Sequence, residues 1–486
     1  MSHYLIQPRD TLIFRDGRPF GATGSEGARS LPFPVPSTTA GLIRTLAGQD
    51  EEGIFKSEKV QEVRKLRITG PFLVRLEKPK PSDTDALTFF LPAPRDALFE
   101  KHEQDAHTLH PLRPVELDSH SLYSPLSGKG ESSGTPSIEP RCLVGSIQRV
   151  KGKPTTGPAY WSWPVLRTWL SHELSAERLP DTGAPAQPHT SVLAEALKGE
   201  LRQLRDPRLG IEGPDEEARV HVAINSEVGT AREGALFTTR GRSFLKRETP
   251  GSSRDRGPVH EQLGLVVRVE GGDDSVKEPS FSARPVTLGG ERRLSFLSPL
   301  NAAGPSQAWL QTCPAEIRAA IVKNRACRVL LTTPAFFRAG AFPSWLCAPD
   351  TIEPMKRAPR PAQLMGASVE RPQVISGWDL ARPVGQTEPG RDRPLRGRPK
   401  PTRRLARAGS VYFFSFEGWE EEHIRAWIDA VWMKAVSDDF EKADGARDEE
   451  EDRPHFRRGG FGVALLGVWS GQPQALRVNA SEETSA

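Results

Sequence analysis

The apolar runs in this chain are short, and nearly all of them end at a proline or a glycine. The 486 residues include 44 prolines and 43 glycines, above ordinary usage for both. Long helices do not survive such punctuation, because proline removes a helix donor and glycine is costly to fix in a helix. Short strands joined by turns do survive it. One segment has strong helical periodicity: WEEEHIRAWIDAVWMKAV at 419–436 sets Ile424, Trp427, Ile428, Val431 and Trp432 on one face.

The remaining elements follow from local pattern. YLIQP and TLIF open the chain as a strand pair or one bent strand, before the glycine-rich bend DGRPFGATGSEGARS. In LPFPVPSTTAGLIRTLAG, Ser37 is a suitable N-cap after Pro36; Leu42, Ile43 and Leu46 fall at helical spacing, and Gly48 is a stop. LRITGPFLVRLE (66–77) and LTFFLPAP (87–94) read as strands. Residues 100–140 are polar and loose. WSWPVLRTWLSHEL (161–174) is a helix with Leu166, Trp169 and Leu170 on one side. VHVAI (220–224), GALFTTR (234–240) and LGLVVRVE (263–270) are strands, and VTLGGERRLSFL (286–297) carries a glycine turn.

The pattern then restarts. PAEIRAAIVKN is a short helix, RVLLTTPAFF (328–337) an opening strand, and QVISGWDL, SVYFFSFEG and FGVALLGVW are further strands. Strands interleaved with few helices, twice over, predict an α+β chain of two tandem ferredoxin-like (RRM-like) units, 1–300 and 301–486, with inserted β-hairpins and glycine-rich loops. With 36 % apolar residues, including 21 Phe and 10 Trp, the chain can fill two substantial cores.

Charge matters here by position. The net charge is only +4, yet residues 391–407 hold seven arginines and one lysine against one aspartate. Such a strip is the electrostatic footprint of a polyanion partner. Its prolines argue for an extended rail rather than regular structure. The opposite run, 438–452, has nine acids and two bases and reads as a solvated loop.

Three further features point to the same partner. In RRGGFG, Arg457 and Arg458 precede Gly459, Gly460, Phe461 and Gly462, so bare backbone amides can meet an anion beside two cations. The segment departs from the RNA-recognition signature by having Gly460 and Gly462 where aromatic stacking residues would stand. Ser37, Thr38 and Thr39 open a helix, where free N–H groups favour phosphate, with Arg44 further along it and Arg15 and Arg18 in the preceding bend. A hairpin over 221–240 carries Asn225, Thr230, Arg232 and Arg240. The second glycine turn supplies Gly289, Gly290, Arg292 and Arg293, and the rail supplies Arg396, Arg398, Lys400, Arg403 and Arg404.

Catalytic and metal motifs are lacking. GKGESSG at 128–134 has neither the spacing nor the ending of a Walker A loop, and there is no G-x-S-x-G or H-E-x-x-H. The four cysteines, Cys142, Cys313, Cys327 and Cys347, match no zinc or redox spacing and read as reduced thiols of a cytoplasmic protein. No metal or cofactor is expected. MSHYLIQPRD has no signal-peptide pattern, and the longest apolar run, FGVALLGVW, is too short to span a bilayer.

Taken together, IQPRDTLIFRDGRPFG, LPFPVPSTTAGLIRTL, HVAINSEVGTAREGALF, TLGGERRLSFL, ISGWDL, RGRPKPTRRLARAGSVYFF and GGFGVALLGVW resemble the RAMP superfamily of CRISPR-associated proteins. The resemblance is close to the subunit of type III-B (Cmr) effector complexes that caps the 5′ end of the guide RNA. It implies tandem ferredoxin-like domains, a non-catalytic role, and binding of the 5′ tag of the crRNA. It also implies docking to the large polymerase-like (Cas ten-type) subunit and to the adjacent RAMP backbone subunit, with target RNA met only indirectly. Carried to this sequence, Ser37–Thr39 would hold tag phosphates, the hairpin 221–240 would bend or wedge the guide, and the two glycine turns would pack RNA against amides. The alternative is a metal-independent endoribonuclease that processes repeat RNA. A third reading is an assembly adaptor whose basic strip meets an acidic protein face.

Overall fold

A computed structural model of the full chain describes residues 1–15, 29–77, 81–101, 107–116, 140–146, 150, 152–172, 210–247, 260–272, 276–301, 304–343, 362–383, 396–439 and 455–475. The fold is mixed, with mostly antiparallel sheets and a few short helices.

The largest sheet has nine strands. Four of them lie side by side in the order Arg293–Leu300, Ser2–Pro8, His260–Glu270, Arg67–Leu76, and every pairing among them is antiparallel. Arg284–Leu288 extends one edge; Leu87–Pro92, Tyr160–Ser162 and Gly210–Ile211 extend the other. Strand alternation explains why these segments are apolar on both sides. Leu5, Phe72, Val74 and Val266 point into one core, whereas Tyr4, Ile6, Leu73, Leu265 and Val267 point into another. The helix Pro36–Ala47 covers the second core through Ala40, Leu42 and Ile43.

The smaller sheet has the order Gln363–Ser368, Val411–Ser415, Ala326–Leu331, Ala464–Val468, again fully antiparallel. The helices Trp163–Ser171, Ala315–Asn324 and Glu421–Val431 fill the space it shares with the nine-stranded sheet. A continuous core therefore runs from Leu5 and Phe72 to Trp427 and Trp469. Large rings dominate it, with Trp163 stacked on Trp309 at 4.0 Å.

Two buried arginines fasten the halves. Arg268 donates to Leu310 O (2.7 Å) and Met433 O (3.0 Å) and pairs with Glu270 at 3.0 Å. Arg328 pairs with the fully buried Asp96 at 2.6 Å, and Asp96 also accepts from Trp169 Nε1 at 2.9 Å. Each arginine has a carboxylate partner, as burial demands, although the Nε of both is buried without a hydrogen bond among the described residues.

Several expectations need correction. Residues 100–140 are not uniformly loose: Ala97–Lys101 and His107–Glu116 pair in a separate five-stranded sheet. Its core includes a buried polar pair, His110 Nε2 with Glu100 Oε2 at 2.5 Å, which hydropathy does not register. TLIF makes one isolated bridge, Leu12 to Arg242, and Arg15 just after it makes another to Ser30, rather than a second strand. RVLLTTPAFF leaves the sheet after Leu331, where Pro334 follows. Among the described residues no helix is long and apolar enough to cross a membrane, and Cys142, Cys313 and Cys327 are free thiols. Cys347 lies outside the described residues.

Candidate nucleic-acid interface

The turn around RRGGFG is fixed by close backbone packing. Gly460 has φ +84°, and a Cβ there would stand 2.5 Å from Ile68 O and 2.9 Å from Gly70 O. Only glycine lets the turn lie directly on the strand Arg67–Leu76. Gly462, at φ +77°, is packed equally tightly against Ser437. The amides expected to meet an anion are used within the protein. Gly459 N–H donates to His455 O and Phe456 O, Gly460 N–H to Arg457 O, Phe461 N–H to Phe456 O and Gly462 N–H to Pro334 O. This corrects the reading of the turn as an amide cradle: the glycines serve close packing, and the cations are what remains for a ligand.

Those two cations differ. Arg457 is tied down, its Nε donating to Ser437 O at 2.6 Å. At Arg458 the backbone carbonyl carries the structural load. It accepts from Ile68 N–H (3.0 Å) and from Arg44 Nη2 (3.1 Å). Arg44 Nη2 also donates to Leu66 O at 3.2 Å, so the first helix is bolted to this turn.

The helix start is displaced from expectation. Val35, not Ser37, is the N-cap, and Pro36 occupies N1, where its fixed φ and missing N–H are tolerated. Thr38 N–H donates to Val35 O (2.9 Å), and Thr39 Oγ1 donates to Pro36 O (3.2 Å) while fully buried. Ser37 is exposed. Thr39 is therefore a packing residue, and Ser37 and Thr38 are the pair left at the surface side of the helix start.

The basic rail is regular where proline was expected to forbid it. Arg396–Pro399 pairs with Trp378–Pro383, and Arg403–Leu405 pairs with Gln373–Ile375. Proline is tolerated because these are two-stranded ribbons with a free edge. Lys400 is exposed, and its N–H donates to Gly377 O at 2.8 Å. Arg404 is exposed, and Arg403 lies over the Phe336 ring at 5.9 Å.

These three elements meet. Val35, Phe336, Ile375, Leu405, Phe456 and Phe461 form one small apolar cluster. Phe336 stacks on Phe456 (4.6 Å, 18°), and Phe456 meets Phe461 edge-on (5.2 Å, 89°). The helix start, the rail and the RRGGFG turn, far apart in sequence, thus share one anchor. Positive charge is concentrated next to it. Burial, then Arg458 and Arg64, bring Arg44 down to about 10. Burial and Arg458 also push His455 down, with Arg44 and Arg64 acting in the same direction and Asp439 opposing.

A second group of candidates gathers elsewhere, on the segment 11–15. Gly289 (φ +75°) comes so close to Ile13 O that a Cβ would stand 2.6 Å away, and Gly290 N–H donates to that oxygen at 2.8 Å. The amide of Gly290 is therefore also used internally. Arg292 is exposed, and Arg293 pairs with Glu291 at 2.5 Å. The hairpin Asp215–Ile224/Ala231–Ser243 roots here through Arg242, which donates to Leu31 O at 3.2 Å and pairs with Glu216 at 3.0 Å. Arg240 pairs with Glu216 at 2.5 Å. Asn225 is occupied in closing the tip: its N–H donates to Thr230 O (2.8 Å), and its Oδ1 accepts from Glu227 N–H (3.0 Å). Thr230 and Arg232 are exposed at that tip, and Val220, Val222, Ile224 and Leu236 are exposed along the hairpin. Arg15 is exposed at its bridge to Ser30. Arg18 lies outside the described residues, as do the side chains of Arg396 and Arg398.

Sequence reasoning missed Arg64, His455 and Phe336. Arg64 sits on the short helix Val60–Lys65, which has no apolar periodicity to mark it. Phe336 read as part of a strand, and only the fold turns it toward Arg403.

A family model described as CRISPR-associated protein (Cas_Cmr3) matches residues 4–469. No curated protein matches the chain. Two solved structures are similar at 14 % identity and a TM-score of 0.39. One is a cryo-EM structure of the type III-B Cmr-beta bound to cognate target RNA and AMPPnP (88 % of this chain, 87 % of that chain). The other is the same assembly bound to cognate target RNA (85 % and 86 %).

Proposed function

This chain belongs to the Cas_Cmr3 family of CRISPR-associated proteins, and from that footing we propose that it is a non-catalytic, guide-RNA-binding subunit of a type III-B Cmr effector complex. Its task is to anchor the 5′ tag of the crRNA. It docks to the large polymerase-like subunit and to the adjacent backbone subunit, and it meets target RNA only through the guide.

One observation carries the RNA reading. The helix start, the rail and the RRGGFG turn are joined through the cluster of Val35, Phe336, Leu405, Phe456 and Phe461, with Arg403 over the Phe336 ring, Arg44 bonded to Arg458 O on the turn, and Lys400 and Arg404 exposed on the rail. Guanidinium groups suit phosphate through paired hydrogen bonds, and a line of cations suits a single strand. The hairpin and the Gly289–Gly290 turn form a second surface, joined to the first by the segment 30–35. We read the two sheets as two ferredoxin-like units divided near residue 300. With Ser2–Pro8, Arg67–Leu76, His260–Glu270 and Arg293–Leu300 ranked first to fourth along the chain, the order across the sheet is fourth, first, third, second, and the smaller sheet repeats it.

The test is titration of the full chain with a fluorescent tag-bearing RNA and with a scrambled strand of equal length, followed by crosslinking. The expected result is tighter binding of the tag, with crosslinks near 400–407 and 455–461. Equal affinity for both strands removes tag anchoring. Metal-independent cleavage of repeat RNA in the same incubation removes the non-catalytic role.

A further inference from the structure

We propose that Arg458, together with Arg44, Arg64 and His455, forms a discrete phosphate subsite on the turn 455–462. The proposal rests on the guide-RNA reading and specifies where on that surface one phosphate is held.

Three elements supply the groups. Arg44 comes from the helix Pro36–Ala47, Arg64 from Val60–Lys65, and His455 and Arg458 from the turn. Backbone bonds fix their approach. Arg458 O accepts from Ile68 N–H and Arg44 Nη2, and Leu66 O, two residues beyond Arg64, accepts from the same Nη2. The guanidinium of Arg458 makes no hydrogen bond or ion pair among the described residues, and the bonds that fix the residue are made by its carbonyl. Arg44 Nε is buried without a hydrogen-bond partner among them.

Burial first, and then the like charges gathered here, lower the proton affinities of Arg44 and His455. Asp439 is the one carboxylate bearing on His455 among the described residues, and its Oδ1 already accepts from Arg457 N–H at 3.1 Å. A tetrahedral anion with several acceptor oxygens satisfies such a set better than a carboxylate does. Two sources share that chemistry: an internal phosphodiester of the guide, or a terminal phosphate.

The experiment uses the full chain, tag-bearing RNA ending in a 5′-hydroxyl or a 5′-phosphate, and a salt series. Arg458→Gln removes the cation and keeps the carbonyl, so the thermal midpoint should stay at the wild-type value. The slope of log K against log salt should flatten by about 0.7, the value for one contact on a single strand. Arg64→Gln should act in the same direction. Equal loss for both RNAs assigns an internal phosphodiester; loss confined to the 5′-phosphorylated strand assigns the terminal group. Wild-type slopes in both variants overturn the subsite and leave guide binding intact. If the wild-type protein binds no RNA, the guide reading fails, and the subsite faces its own test. Inorganic phosphate, against chloride at equal ionic strength, should raise the thermal midpoint of the wild type but not of Arg458→Gln, and no rise overturns it. A variant that binds RNA normally but fails to assemble with partner subunits assigns these arginines to an acidic protein face, and overturns it too.

Discussion

Replacing Gly460 by alanine probes the contact on which the first surface depends. Two costs are separable there. The backbone sits at φ +84°, where a side chain costs about 1–2 kcal/mol. The new methyl would also lie 2.5 Å from Ile68 O and 2.9 Å from Gly70 O. Both neighbours are backbone, so neither can swing aside, and the overpacking adds about 1–3 kcal/mol. Together they amount to roughly 2–5 kcal/mol, a large share of the roughly 5–15 kcal/mol that stabilises an ordinary domain. Gly53 is a matched control. It has φ +79°, and a methyl added there would meet nothing within 4 Å, so Gly53→Ala should cost only the backbone term. Urea denaturation of both variants, with equal m-values, gives the difference directly. Gly460→Ala should be the less stable by at least about 1 kcal/mol and should bind RNA more weakly. Equal stability of the two variants would refute the packing of this turn on the strand Arg67–Leu76.

Further outcomes follow from other features. Changing Arg398, Lys400, Arg403 and Arg404 together to alanine should flatten the salt slope of RNA binding by up to about 2.8 if all four meet phosphate; an unchanged slope removes the rail from the interface. Asp96→Ala leaves the buried Arg328 without its carboxylate and should cost about 3–5 kcal/mol in urea denaturation, whereas a loss below about 1 kcal/mol would contradict the burial of that pair. His3 is buried and held down to about 4, by burial first and then by Arg268. A folded value below the unfolded one means that the fold binds fewer protons. Its contribution is therefore fully present above about pH 6.5, declines as pH falls toward 4, and amounts to roughly 3 kcal/mol. His3→Gln should flatten the stability profile in that window, and an unaltered profile would exclude His3 as its source.

Much of the fold is legible in the sequence because periodicity survives locally. The helices at 36–47, 163–171, 315–324 and 421–431 and the strands at 67–76 and 87–92 all lie where alternation or helical spacing indicates. What escapes depends on distant partners. HTLHPLRPVE forms a strand although it is polar and proline-bearing, because His110 finds Glu100 across the sheet. The arginine–proline rail becomes ribbon because Gln373–Ile375 and Trp378–Pro383 are there to pair with it. The roles of Gly459–Gly462 could not be read locally, since the strand they press against lies almost the whole chain away. The likeness to CRISPR-associated proteins was legible because its segments reach both ends of the chain, in keeping with the family match over 4–469. Among the candidate residues, the structure gathers Val35's neighbours, Arg44, Arg403 and Arg458 at one anchor and leaves the hairpin and Gly289–Arg293 at another.

The bond from Arg44 to the carbonyl of Arg458 spans 414 positions in the polypeptide. Ribosomes deliver the first of these residues long before the second, so for most of synthesis the early helix waits without its fastening. The grip is completed only as the closing strand arrives. A prematurely terminated chain would carry the early arginines yet lack the distant carbonyl that fastens Arg44 in place.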